Sequence, residues 1–192
     1  FGDYLKALNR PVYLTVGVEV NNPIYDIDPQ TYRGAYRYLV DFLTAQSVNQ
    51  VAYVWYINGM QSNRSTQDIS AWYPGDAYIN WIGTSLYKIE PKHYVETTIF
   101  KAPNYDRILS FAKEKDLPIM IVESSATAVK INFEESGQQL WDNYYVPFFD
   151  FIAQKQVKAF SHIYTNWSDP VLTDLWTKQL TDDRYLFSDT TK

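Results

Sequence analysis

Short apolar runs alternate with amphipathic stretches along the chain, which is the pattern of strand–helix units around a parallel sheet. Five apolar runs are predicted to be strands, and they cover residues 12–20, 51–57, 79–87, 119–123 and 157–167. The first run is apolar almost throughout, as expected of a strand that is buried on both faces. Five such strands are too few to close an eight-stranded barrel.

The stretches between these runs carry apolar residues at helical spacing. Asp28 and Pro29 can cap and open a helix whose apolar stripe extends to Leu43. Further helices are predicted from Asn104, over about 138–153 with a bend near Pro147, and from residue 169 onward. The polar loop 58–70 is longer than a plain connection requires, so it is a candidate functional loop.

Composition excludes several classes of function. The 192 residues suit one domain spanning 1–192, and the net charge of -5 argues against nucleic acid or an anionic membrane as partner. No apolar run approaches the roughly 20 residues that a membrane span needs. Cysteine is absent, and the two histidines, His93 and His162, lie far apart in no metal-ligand pattern. We therefore expect no metal site.

Two glutamates come at the ends of predicted strands, Glu19 in the first and Glu123 in the fourth. Because the carboxyl ends of parallel strands meet at the functional edge of such a sheet, both side chains are expected on that edge. Each alone could simply meet water or a basic side chain. Two carboxylates on one rim are what glycosidic cleavage needs, one as proton donor and one as nucleophile or base.

Aromatic residues make up 17% of the chain, and tyrosine and tryptophan combine an apolar face with a polar edge that suits a sugar. Tyr87 ends the third strand and could donate a hydrogen bond to a carboxylate nucleophile, or pack under a loop. Trp167 ends the fifth strand and could lie under the sugar that is cleaved, or in the core. Trp55 and Trp72 are weaker candidates for substrate binding, because indoles in such positions usually pack.

Three segments together resemble glycoside hydrolase family 26, the β-mannanase family. Residues 72–83 read WYPGDAYINWIG, similar to the stretch leading into that family's sixth strand. Residues 118–124 read PIMIVES and resemble its seventh strand, which ends in the nucleophile; residues 11–19 read PVYLTVGVE and resemble its fourth strand, which ends in the acid/base. The resemblance spans about residues 10–167 and implies strands four to eight of a (β/α)₈ TIM barrel.

The resemblance implies a retaining mechanism with Glu19 as acid/base, Glu123 as nucleophile and no cofactor, acting on β-linked polysaccharide, chiefly mannan, outside the cell or in the periplasm. It also implies that the N-terminal half of the barrel is supplied elsewhere, by the same chain or by an associated copy. Val18 and Thr15 stand where the family often has polar residues, and Asn80 where it usually has aspartate.

Three alternatives remain open. The loss of polar neighbours around Glu19 favours a carbohydrate-binding barrel with weakened catalysis, and a β-glucanase or β-1,3-xylanase would share the same site. A barrel isomerase or aldolase would need a Schiff-base lysine or a glycine-rich phosphate loop near the last strands. The lysines and glycines of this chain are not arranged in that way.

Overall fold

The computed structural model describes residues 1–22, 25, 27–59, 68–87, 103–125 and 137–163. Its five strands form one sheet in the order β1-β2-β3-β4-β5, and every neighbouring pair is parallel. The alternation of strands and helices confirms the predicted α/β class. None of the helices in the described ranges is long and apolar enough to cross a bilayer.

The elements follow the predicted rhythm. The strands are β1 (Val12–Thr15), β2 (Val51–Tyr56), β3 (Trp81–Tyr87), β4 (Ile119–Ser125) and β5 (Ala159–Phe160). The helices are α1 (Gly2–Leu8), α2 (Pro29–Ala45), a 3-10 helix (Ile69–Trp72), α3 (Pro103–Glu114), α4 (Gly137–Leu140), a π-helix (Trp141–Tyr145) and α5 (Val146–Gln154). The expected bend near Pro147 takes the form of this π-helical turn, which directly precedes α5.

The start of α2 is built as the sequence predicts. The Asp28 carboxylate accepts hydrogen bonds from the backbone N–H groups of Gln30 and Thr31, both at 2.9 Å. These bonds satisfy two donors that the first turn of a helix leaves unpaired. The pKa of Asp28 is lowered, mainly by a further hydrogen bond from the Thr31 hydroxyl, so the cap is kept in its ionised form.

The hydrophobic core lies between the sheet and the helices. Alternate residues of β2 and its extension, Tyr53, Trp55 and Ile57, belong to this cluster. Trp55 is fully buried and its ring packs against Phe111 of α3 at a centroid distance of 5.6 Å. Trp72 is also buried, 5.9 Å from the ring of Tyr32 in α2.

The first strand is shorter than predicted. It ends at Thr15, because Gly17 and Glu19 adopt positive φ angles of 83° and 45°, which turn the chain out of the extended conformation. The prediction that residues 16–20 continue the strand was therefore wrong. Helix α1 had no counterpart in the prediction, and Trp167 lies outside the described residues.

Candidate active site

Glu19 lies in a turn that follows β1 and folds over the end of β2. The turn rejoins β2 where the Val20 N–H donates to the Tyr56 carbonyl at 3.3 Å. The Tyr32 hydroxyl of α2 donates to the Val16 carbonyl at 3.0 Å and holds the start of the turn. Glu19 is thus at the carboxyl edge of the sheet, as expected, although no strand carries it.

The Glu19 carboxylate is held on both oxygens by polar side chains from neighbouring elements. Its Oε2 accepts from Asn58 Nδ2 at 2.6 Å and from Asn22 Nδ2 at 3.4 Å, and its Oε1 accepts from the Ser85 hydroxyl. Asn58 follows β2, and Ser85 is a buried residue of β3. The side chain of Glu19 therefore reaches across β2 to the third strand.

Glu123 lies within β4, next to a β-bulge. The register pairs Thr84 with Ile121 but Ser85 with Glu123, so Val122 is an extra residue on the β4 side. Ile121 is fully buried in the core against the helices. Strict alternation of side chains along β4 would put Glu123 on the same face as Ile121. In a bulge, two residues lie opposite one residue of the partner strand, and this changes the direction of the Glu123 side chain.

The Glu123 carboxylate accepts a hydrogen bond at Oε2 from the Tyr87 hydroxyl at 2.6 Å. Burial, together with this hydrogen bond and the nearby carboxylates, raises the pKa of Tyr87. Its hydroxyl therefore keeps its proton and remains a donor. Of the two alternatives that the sequence left open for Tyr87, the structure contains the hydrogen bond to the glutamate.

The two carboxylates come together around Ser85. Neighbouring strands lie roughly 4.8 Å apart, so β1 and β4, three steps apart in the sheet, are separated by about 14 Å. Glu19 removes most of that separation because it contacts Ser85, the residue directly opposite Glu123. Both glutamates are therefore on one edge of the sheet, and the Glu19 carboxylate lies within one strand spacing of β4.

The Glu19 carboxyl has a raised pKa. Burial raises the pKa of its carboxyl, and the charge of Glu123 raises it further, while hydrogen bonds from Ser85, Asn22 and Asn58 oppose the shift without cancelling it. The result is a carboxylic acid that holds its proton to higher pH than usual, next to a second carboxylate fixed by a tyrosine. Such a pair can give a proton and attack an electrophilic carbon at the same time.

Two further tyrosines lie near the pair. Tyr25 is about half exposed at 47%, whereas Tyr56 is fully buried in β2. Burial raises the pKa of both hydroxyls, and the charges of Glu19 and Glu123 raise it further. Tyr25 is thus an aromatic ring open to solvent beside the carboxylates, where a sugar could contact it.

The structure does not bring Trp55 and Trp72 to this site. Both indoles pack between the sheet and the helices, which is a correction to their assignment as substrate-binding residues. His162 is half-buried and its Nε2 lies 3.2 Å from the Tyr145 hydroxyl. Among the described residues, no group of three or more histidine, aspartate or glutamate side chains is placed to hold a metal ion.

Sequence reasoning missed three polar residues of the site: Asn22, Asn58 and Ser85. The criterion that found Glu19, a polar side chain just past an apolar strand, also applies to Asn58 after Ile57. Ser85 could have been noticed as a hydroxyl between the apolar residues of β3. A buried polar side chain needs a partner, which here is Glu19.

Known proteins share this architecture. The chain is 22% identical over 183 residues to a beta-1,3-xylanase, TXYA, of a Vibrio species, covering 85% of this chain and 37% of the relative. The catalytic domain of an endo-beta-1,4-mannanase from Bacillus sp. JAMB-750 matches with a TM-score of 0.66 and 18% identity, over 92% of this chain and 48% of that one. A GH26 beta-mannanase from Bacteroides ovatus matches with a TM-score of 0.68 and 17% identity, over 98% and 55%.

The chain therefore spans about half the length of these proteins or less, and its five parallel strands form half of the TIM barrel that the solved structures share. This confirms the fold predicted from the sequence. The family model for glycosyl hydrolase family 26 matches residues 24–174, which is most of the chain. The resemblance to this family is thus confirmed, and the chain belongs to glycosyl hydrolase family 26.

Proposed function

We propose that this chain carries the catalytic carboxylates of a retaining endo-acting β-glycanase, with Glu19 as general acid/base and Glu123 as nucleophile. The observation that supports this most directly is the meeting of the two carboxylates around Ser85 in unlike environments. Glu19 is held by three polar side chains and has a raised pKa, whereas Glu123 accepts a hydrogen bond from the Tyr87 hydroxyl.

The reaction would proceed in two displacements. In the first, Glu123 attacks the anomeric carbon, the bond to the leaving oxygen breaks, and Glu19 gives that oxygen its proton. In the second, Glu19 takes a proton from water, the water oxygen attacks the same carbon, and the bond to Glu123 breaks. Two inversions return the original β configuration.

The substrate we propose is β-1,4-mannan. Solved structures that share the fold are described as mannanases, while a curated relative is described as a beta-1,3-xylanase, so β-1,3-xylan and mixed-linkage β-glucan are the alternatives. Trp167 remains a proposed platform under the cleaved sugar, and Tyr25 is an exposed ring whose hydroxyl is influenced by the charges of both carboxylates.

The test is hydrolysis by the natural full chain and by its Glu123→Gln and Glu19→Gln variants, which preserve side-chain shape. Release of reducing sugar is measured on the three polysaccharides, together with the fall in viscosity that distinguishes internal from terminal cleavage. We expect Glu123→Gln to lose turnover while its circular dichroism spectrum is unchanged. NMR of the first product formed should show the β-anomer.

Undiminished hydrolysis by Glu123→Gln, or an α-anomer as first product, would refute this assignment. The second candidate function, a carbohydrate-binding barrel, is favoured by the exposed, apolar Val18 next to Glu19. Calorimetric binding of a mannan oligosaccharide without any sugar released on long incubation would support it.

A further inference from the structure

Glu19 is held in place by side chains and not by a strand ladder. Strand β1 ends at Thr15, and the turn beyond it includes the positive φ angles of Gly17 and Glu19. A glutamate in such a turn has no inter-strand hydrogen bonds to fix its backbone, so its position depends on what else holds the turn. The end of β2 supplies those contacts.

Asn21 joins this turn to the chain that follows β2. Its side-chain oxygen accepts from the Asn58 backbone N–H at 2.7 Å, and its side-chain nitrogen donates to the Asn58 carbonyl at 3.2 Å. One amide side chain thereby satisfies both backbone groups of Asn58, as a neighbouring strand would. Asn58 is itself 5% exposed, so both backbone groups need such partners.

The side chain of Asn58, whose backbone is fixed in this way, then holds the Glu19 carboxylate by a hydrogen bond. Its Nδ2 donates to Glu19 Oε2 at 2.6 Å, the shorter of the two asparagine contacts on that oxygen. A carboxamide nitrogen can only donate, so this bond constrains which lone pairs of Glu19 are left for the substrate. The Ser85 hydroxyl can donate or accept, and it can follow Glu19 through a change of protonation.

We propose that Asn58 is a positioning residue for the acid/base glutamate, and that Asn21 acts through the backbone of Asn58 to hold it there. The inference rests on the proposed function, in which Glu19 must direct one proton at the glycosidic oxygen.

The test compares Asn58→Ala, Asn58→Asp and Asn21→Ala with Asn49→Ala, an exposed asparagine at the opposite end of β2. The aspartate variant keeps the shape of Asn58 and removes its donor, so it serves if the alanine variant does not fold. Each variant is made in the natural full-length protein and assayed on polysaccharide and on a dinitrophenyl β-glycoside of the same sugar. The dinitrophenolate leaving group departs without being protonated.

We expect Asn58→Ala to lower kcat/KM on polysaccharide by roughly tenfold to hundredfold, a part of the 10²–10⁴-fold that general acid catalysis contributes. On the dinitrophenyl glycoside, the first displacement should slow by only about threefold or less, because it requires no proton donor. Asn21→Ala should also lose more activity on polysaccharide than on the dinitrophenyl glycoside, by a smaller factor. Asn49→Ala should match the parent on both substrates. Equal losses on both substrates would overturn the proposal.

A second measurement does not depend on activity. Titration of the Glu19 carboxyl by ¹³C NMR, assigned with Glu19→Gln, should show a higher pKa in Asn58→Ala, because a donor to the ionised form has been removed. An unchanged titration in Asn58→Ala would overturn the inference even in an active enzyme. If the parent hydrolyses no glycan, the proposed function fails, and this titration still decides whether Asn58 holds Glu19.

Discussion

Gly83 allows β3 to lie against two valines next to the site. A Cβ built on Gly83 would lie 2.5 Å from Val122 Cγ2 and 2.8 Å from Val54 Cγ1. Carbon atoms that are not bonded prefer about 3.5–4.0 Å, so an alanine would require each valine to move by about an ångström. Both valines are in strands, where the neighbouring ladders resist such a shift. The Gly83→Ala variant should therefore be strained.

Overpacking of this kind costs about 1–3 kcal/mol. The substitution also reduces the freedom of the unfolded chain, which offsets about 0.4–1 kcal/mol of that cost. We expect a net loss of about 1–2 kcal/mol in the free energy of unfolding, which in a domain of this size lowers Tm by roughly 2–8 °C. Because Val122 is the extra residue of the bulge that aims Glu123, activity should fall by more than the loss of folded protein explains.

The matched control is Gly34→Ala. Gly34 lies exposed within α2, and no atom is within 4 Å of a Cβ placed there. This variant should gain about 0.5–1 kcal/mol from the better helix propensity of alanine. Thermal unfolding followed by circular dichroism measures both variants. A Gly83→Ala protein as stable as the parent would refute the close packing of β3 against Val122.

Three further predictions concern the site and its surroundings. Tyr87→Phe removes a hydrogen bond to a charged acceptor, worth about 1.5–3 kcal/mol, and should lower kcat/KM roughly tenfold to hundredfold; steady-state rates equal to those of the parent would contradict this. Glu19→Gln should raise Tm at neutral and alkaline pH. The pKa of Glu19 is raised in the folded protein, so the parent is destabilised as pH rises from about 4.3 through that pKa and the buried carboxyl ionises, whereas glutamine stays neutral. The gain should disappear in acid, and a gain that is independent of pH would be inconsistent with burial as its cause. Trp55→Phe should cost about 1–3 kcal/mol in unfolding free energy with KM unchanged, and a changed KM would return this indole to the substrate site.

The sheet could be predicted because its signal is local. Runs of apolar residues bounded by polar turns mark β2, β3 and β4 within a few residues, and Asp28 with Pro29 marks the start of α2. Each of these features depends on neighbours in the chain, so a single sequence contains it. The prediction that polar side chains at strand ends meet on one edge followed from the parallel topology alone.

The details of the site depend on contacts distant in sequence, and these could not be predicted. Residues 16–20 look like strand, but Glu19 has a positive φ, and its carboxylate is held by Asn58 after β2 and Ser85 in β3, 39 and 66 positions away. Alternation along β4 assigns Glu123 to the core face, and the bulge that re-aims it is visible only in the pairing with β3. The placement of Trp55 against Phe111 was likewise decided by the helix layer.

Glu19 lies in a turn and Glu123 lies in a strand, so substitutions can shift the position of Glu19 more easily than that of Glu123. Substitutions at residues 18–22 can move the Glu19 carboxyl or change its surroundings while the hydrogen-bonded register of the strands is untouched. Glu123 has no such freedom, because any adjustment of it must rebuild the pairing of β3 with β4. Under the proposed function, selection or engineering for a new leaving group would act most easily on the turn, and Glu123 would remain fixed relative to the sheet.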